Sequence, residues 1–291
     1  MVAWTLPAEL VAWITALAGL LHARLAGRLV PPVRGALFAQ GCRTVASWPG
    51  AAGLGRDFRL DYYFLGGLGR KAESVASLLL CRAVAVLAPG DRLLFALDDA
   101  PTKRAGRRVE GAGIRHNPTP GPAGQHFLSG HVRVTIAWVL RHPLWGAIGL
   151  PLQERDGWVA YFCTDPRATV AQGLEAVADR SAIEQDFHDL KEVHGLGQQQ
   201  VRRYGANVAV YHLNLWLHTL IELWAWGQPP ARRSDRRDRP WDARPRRPSH
   251  ADRRNALRRA CLRTEIRKAG LRSPLSRKIQ TLMHGLIKRV T

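Results

Sequence analysis

Apolar positions spaced three and four apart fill residues 8–25, 33–40 and 72–87, and that period predicts helices over most of the first 90 residues. Pro31-Pro32 breaks the first run, a short piece from Thr44 ends near Pro49-Gly50, and Gly66-Gly67 with Gly69 mark a break before residue 72. Beyond Asp91 the period changes. RLLFAL, residues 92–97, is a nearly continuous apolar run, as expected of a strand buried on both faces, and it ends on Asp98-Asp99. Residues 101–130 are rich in Gly, Pro and polar side chains and predict a long irregular segment of the kind that carries function. HVRVTIAWVL, residues 131–140, has strand composition; His142-Pro143 makes a turn, and residues 145–152 return as the second arm of a β-hairpin. A further strand is expected over residues 158–163, closed by Asp165-Pro166.

RSAIEQDFHDLK, residues 180–191, reads as an amphipathic helix. At about 100° per residue, Arg180, Glu184 and Lys191 fall within one narrow arc. Ile183, Phe187 and Leu190 lie in or beside that arc, which places the charges on the face a core would take, where charged groups need partners. Thr169 followed by Gln172 is a capping-box start, and Gly195 is a fitting stop. An ordinary surface helix with Arg180–Glu184 as an i,i+4 pair accounts for the same spacing. Residues 206–226 are apolar almost all round, but His212, Asn214, His218 and Glu222 interrupt them, so they predict a buried core helix rather than a membrane span.

Charge sharpens this picture. The 291-residue chain carries 43 Lys+Arg against 23 Asp+Glu, a net +20 that predicts a polyanionic partner. From residue 228 to the end there are 20 basic and 5 acidic residues, so three quarters of the excess lies in the tail. Residues 228–250 read as a flexible linker and residues 251–268 as a helix capped by Ser249, with Arg253, Arg254, Arg258, Arg259 and Arg263 along it, the footprint of a nucleic-acid binder. The first 90 residues fit either a DNA-binding helical region or a plain helical bundle with a basic surface. Cys42, Cys81, Cys163 and Cys261 are widely scattered with no Cys-x-x-Cys pair, which argues against a zinc site and for a reduced, cytosolic setting. No signal-peptide pattern is present, and a cytoplasmic, nucleoid-associated protein is expected, with no membrane partner.

Asp98-Asp99 at the end of a buried strand fit either a solvated turn or a metal-binding carboxylate held rigidly, since Mg²⁺ prefers hard oxygen ligands. Lys103 and Arg104, in the segment that follows, suit contacts with phosphate. His116, His126 and His131 match no ligand spacing. Together these stretches resemble insertion-sequence transposases of the DDE superfamily, in the branch with a Tyr-x2-Arg-x3-Glu-x6-Lys signature. Arg180, Glu184 and Lys191 match it, with Val177 in the tyrosine's place. LDDAPTKRAGRRVEGAGIRHNPTPGP resembles the region of the family's first aspartate, with Ala100 replacing a threonine. The likeness covers about residues 91–226.

The resemblance implies a mixed α+β fold with an RNase H-like core over residues 91–226, flanked by a helical region (1–90) and a basic linker and helical tail (227–291). It implies Mg²⁺ or Mn²⁺ on three carboxylates, DNA ends as partner, and a homo-oligomer. Asp98 or Asp99 would be the first acid and Glu184 the third, with Arg180 and Lys191 on phosphates and Asp98 and Glu184 as metal ligands. The departure from the family lies between them. Only 84 residues, 100–183, separate Asp99 from Glu184, and the strand that ends in the second aspartate is absent, as if a block near Leu152-Gln153 were removed. Asp165 is the weak candidate for the vacancy. The expectation is a transposase by family that is catalytically defective. The alternatives are a non-catalytic DNA-binding remnant that interferes with a full-length transposase, or an active nuclease with a rearranged acid.

Overall fold

A computed structural model describes residues 4–54, 58–87, 93–104, 106, 108–117, 124–155, 169–229 and 247–268. The expected strand over residues 158–163, Asp165 and most of the 228–250 linker lie outside the described residues. What is described is a mixed α+β protein with a small, open, antiparallel sheet of four strands.

The N-terminal helices are α1 (Ala8–Ala18), α2 (Ala23–Ala26), α3 (Val30–Phe38), α4 (Trp48–Ala51), α5 (Arg59–Gly69) and α6 (Ala72–Leu87). Pro31 and Pro32 open α3 rather than merely ending its predecessor, because a proline in the first turn gives up an N–H that has no intrahelical acceptor. Gly66, Gly67 and Gly69 do not break the chain either; they lie within α5. A Cβ on Gly69 would stand 1.9 Å from the Gly205 carbonyl oxygen, and one on Gly67 would stand 2.6 Å from Leu25 Cδ1. Gly69 lets α5 meet the backbone entering α8 and Gly67 makes room for the Leu25 side chain, so the turn reading gives way to close packing.

The sheet comprises β1 (Leu94–Lys103), β2 (Gly113–His116), β3 (Phe127–His142) and β4 (Gly146–Arg155). β1 pairs with one edge of β3, from Leu94↔Val139 to Lys103↔Gly130. The other edge of β3 takes β2 near its start and β4 near its end. The 101–130 segment is thus partly strand, since backbone groups laid beside β3 satisfy themselves on it. β1 carries on through Asp98-Asp99, which sit within the strand and not at its end. Leu94 and Phe95 are exposed, so β1 is not buried on both faces. The register shifts between Ile136 and Ala137, which face Gln153 and Pro151, leaving Leu152 as an extra residue of β4. That bulge frees two carbonyls for the next layer: Pro151 O accepts from Thr219 Oγ1 at 2.7 Å and Leu152 O from Trp216 Nε1 at 3.0 Å.

Those donors belong to α8 (Tyr204–Trp226), the buried axis of the molecule, packed against α5 on one side and β4 on the other. α7 (Val170–Glu192) lies across the sheet, and α9 (His250–Lys268) closes onto α8. One hydrophobic cluster runs from Leu6 through Trp138 and Tyr211 to Cys261. The arginines of α9 are therefore not all free to form the expected nucleic-acid footprint. Leu257 and Cys261 are fully buried, and Arg253, Arg254 and Arg258 are buried with them. Arg258 donates to Leu37 O (2.7 Å) and Ala39 O (3.0 Å), and Arg254 to Val193 O. These carbonyls end α3 and α7 and have no intrahelical donor, so the arginines serve as C-terminal caps contributed from another helix. Among the described residues no helix is long and apolar enough to cross a membrane.

Candidate functional site

Three features set α7. Thr169 accepts from the Gln172 N–H at 3.2 Å while Gln172 Oε1 accepts from the Thr169 N–H at 2.9 Å, which completes the expected capping box. Gly195, at φ +70°, turns the chain out of the helix. Arg141 of β3 grips the first half, donating to both Asp179 oxygens at 3.1 and 3.0 Å and meeting Glu175 at 3.0 Å. The core face is formed by Ala182, Ile183, Asp186, Phe187 and Leu190. Arg180 and Glu184 flank that face at the rim and Lys191 is exposed, so the charges do not share the core face as their arc suggested.

From that rim Arg180 reaches two acids. Its Nη1 donates to Glu184 Oε1 at 2.8 Å, and its Nη2 lies 3.6 Å from Asp98 Oδ2. The structure thus brings Asp98 and Glu184 to one guanidinium, across the packing of α7 on β1. Asp98 Oδ1 accepts from the Asp99 N–H at 2.9 Å. Burial pushes the Asp98 carboxyl above its ordinary value; the Asp99 N–H and Arg180 pull it down, while Asp99 and Glu184 push it further up. Asp99 is exposed and, as its strand neighbour, points to the opposite face, so Asp98 is the member of the pair turned toward Glu184.

The remaining predicted residues separate. Lys103 is exposed with its Nζ on Gln125 Oε1 at 2.8 Å. Arg104 is only 4% exposed and donates to Gly197 O at 3.0 Å, so it holds a loop and is not free to meet phosphate. His116 and His126 are exposed, whereas His131 is buried with Nε2 on Glu110 O at 3.0 Å.

Two features escaped sequence reasoning. The first is an open groove of about 680 Å³ between α5 and the chain entering α8. Tyr62, Tyr63, Arg70, Gln200, Arg202 and Arg203 line it, and the Glu110 carboxylate accepts from the Tyr204 N–H at 2.7 Å beside it. Tyr63 is 75% exposed and Tyr204 beside Arg203 is 45% exposed. Cations interleaved with aromatic faces suit a nucleic-acid strand. The pair Arg202-Arg203 was a sequence signal, but nothing in the sequence placed it opposite Arg70.

The second is a buried polar cluster where α7, α8 and α9 meet. His250 and Glu222 are bonded at 2.5 Å, Arg253 meets Glu222 at 2.7 Å, His194 Nε2 lies 2.8 Å from His250 Nε2, and His218 Nε2 lies 3.4 Å from Asp186 Oδ1. Burial holds His194 and His250 well below their usual range, with neighbouring positive groups adding to the effect. His218 is also desolvated, but Asp186 outweighs this and raises it. Burial pushes Asp186 itself above the carboxylate range. The sequence showed these groups only as polar interruptions of apolar helices. No family model, no curated protein and no solved structure matches the chain.

Proposed function

We propose that this chain is a DNA-binding protein of the DDE-transposase type, with an RNase H-like core, that holds DNA without cutting it. One observation carries the reading: Arg180 joins Asp98 on β1 to Glu184 on α7, the two acids that the resemblance pairs. The net charge of +20 and the arginine–tyrosine groove supply a surface for a polyanion.

The residues present do not fit the pair of divalent ions that the family uses. Two such ions bring four positive charges, and Asp98 and Glu184 offset two of them. Arg180 then adds a further positive charge on the same carboxylate oxygens. Metal-assisted phosphoryl transfer rests on bridging carboxylates and on positioning, and a guanidinium in their midst opposes both. What these residues do is bind and orient: Arg180 fixes Glu184 and Asp98, and the exposed Lys191 stands about two turns beyond Glu184 for a phosphate.

The test uses purified full-length chain with supercoiled plasmid and with linear duplexes, in Mg²⁺ and then Mn²⁺. Retarded mobility without nicking or joining is expected. Metal-dependent nicking that disappears in Glu184→Gln would overturn the non-cutting reading, and Asp165→Asn beside it would show whether that residue serves as the further acid. Absence of any binding would overturn the DNA assignment itself.

A further inference from the structure

The geometry points to a transition-metal site of the zinc class at His194, His218 and His250, which pins α9 to α7 and α8. One ring nitrogen from each histidine lies within 4.8 Å of the others, and all three residues are buried. This set is separate from Asp98 and Glu184, and the inference does not rest on the DNA reading.

The donor set selects the ion. Imidazole nitrogens suit Zn²⁺ and its neighbours, whereas Mg²⁺ and Ca²⁺ require oxygen. The backing also fits. A ligating histidine characteristically gives its other nitrogen to a carboxylate, which fixes the tautomer and strengthens the donor. Here Glu222 takes Nδ1 of His250 at 2.5 Å and Asp186 faces Nε2 of His218 at 3.4 Å. That leaves Nε2 of His250 and Nδ1 of His218 as the inward-facing nitrogens. Nδ1 of His218 is buried and finds no hydrogen-bond partner among the described residues. Buried polar atoms are rarely left so. Asp186 supplies a negative charge to an ion that would otherwise be costly to bury, while Glu222 divides its charge between His250 and Arg253, at 2.7 Å.

Closing on the ion takes a small rearrangement. Zn–N bonds of about 2.0–2.1 Å place tetrahedral ligand nitrogens about 3.3 Å apart. His194 Nε2 and His250 Nε2, at 2.8 Å, need to open slightly. The His218 and His250 rings are stacked with centroids 3.8 Å apart and planes within 2°, so their lone pairs run parallel. His218, whose contact with Asp186 is the longer at 3.4 Å, must turn about its Cβ–Cγ bond, a soft torsion, while His250 stays on Glu222. His194 passes its proton from Nε2 to Nδ1, and His218 releases any second proton.

The experiment uses untagged full-length chain freed of metal with a chelator and titrated with Zn²⁺, Co²⁺ or Mg²⁺. Expected are one equivalent of Zn²⁺ bound, a higher melting temperature, the visible bands of tetrahedral Co²⁺, and no response to Mg²⁺. The double change His126→Gln/His188→Gln, both exposed, keeps the Co²⁺ bands, and His218→Gln loses them. Should His218→Gln not fold, the wild-type titration decides alone. A folded, chelator-treated wild type that gives neither Co²⁺ bands nor Zn²⁺ stabilisation overturns the proposal. So does binding that survives in folded His218→Gln or vanishes in the exposed pair.

Discussion

Gly149→Ala probes the contact that seats α7 on the sheet. A Cβ at Gly149 would lie 1.8 Å from Asp186 Oδ2, 2.6 Å from Cγ and 2.9 Å from Oδ1. An ordinary carbon–oxygen contact is well above 3 Å, so Asp186 or the whole helix must retreat by more than an ångström. Overpacking of this kind costs about 1–3 kcal/mol. If Asp186 instead swings away from His218, a buried pair is broken, for which about 3–5 kcal/mol is the upper range. We expect a loss of about 2–4 kcal/mol, read as a lower urea midpoint at constant slope. Asp186→Ala removes the obstructing atoms, so Gly149→Ala introduced into that background should cost no more than about 0.5 kcal/mol further, and the cycle should be strongly non-additive. Glu184 stands half a turn before Asp186, so the single variant should also weaken the Arg180–Asp98 contact. A neutral Gly149→Ala, or a cost undiminished beside Asp186→Ala, would refute the packing of α7 on β4 described above.

Three further outcomes follow from named contacts. Arg180→Gln should move the Asp98 titration upward in carboxyl NMR, because the nearby guanidinium pulls it down; an unmoved titration would deny the bridge. His212, neutral by burial, is pushed down to about 4 from 6.5. The unfolded chain therefore takes up a proton there that the folded chain refuses. Its stabilisation is complete above pH 6.5 and is lost as pH falls toward 4, about 3 kcal/mol in all. His194 and His250 act in the same sense and His218 in the opposite one, so the measurement is the difference in acid slope between wild type and His212→Gln, and equal slopes would refute it. Changing Arg70, Arg202 and Arg203 together to Gln should lower the slope of log affinity for duplex DNA against log salt by about 2–3, at about 0.9 per phosphate contact, with melting temperature unchanged. An unaltered slope would remove the groove from the interface.

Much of the architecture was legible because it rests on local rules. The capping box at Thr169, the stop at Gly195 and the apolar run of α8 are settled by neighbours within a few residues, and the structure keeps all three. Ser249 likewise caps α9, its Oγ accepting from the Asp252 N–H at 3.2 Å. The pairing of Arg180 with Glu184 is also local, as residues four apart on a helix are neighbours.

Tertiary structure decided what those elements face. Glycines at 66, 67 and 69 read as a break when glycine's torsional freedom is all that is known; only the Gly205 carbonyl beside Gly69 shows that what matters there is the missing side chain. Arginines along α9 read as a nucleic-acid footprint until the ends of α3 and α7 present carbonyls that only a distant donor can satisfy. Asp98 could be told from Asp99 only once β1 lay beneath α7. The histidine cluster gathers residues 194, 218 and 250 from three elements, and side chains so far apart in sequence leave no periodicity to read. The sequence determined the caps of α7 and α9 and the apolar run of α8. Which polar groups meet was left to the fold, because burial makes each such group seek a partner at whatever sequence distance the packing supplies.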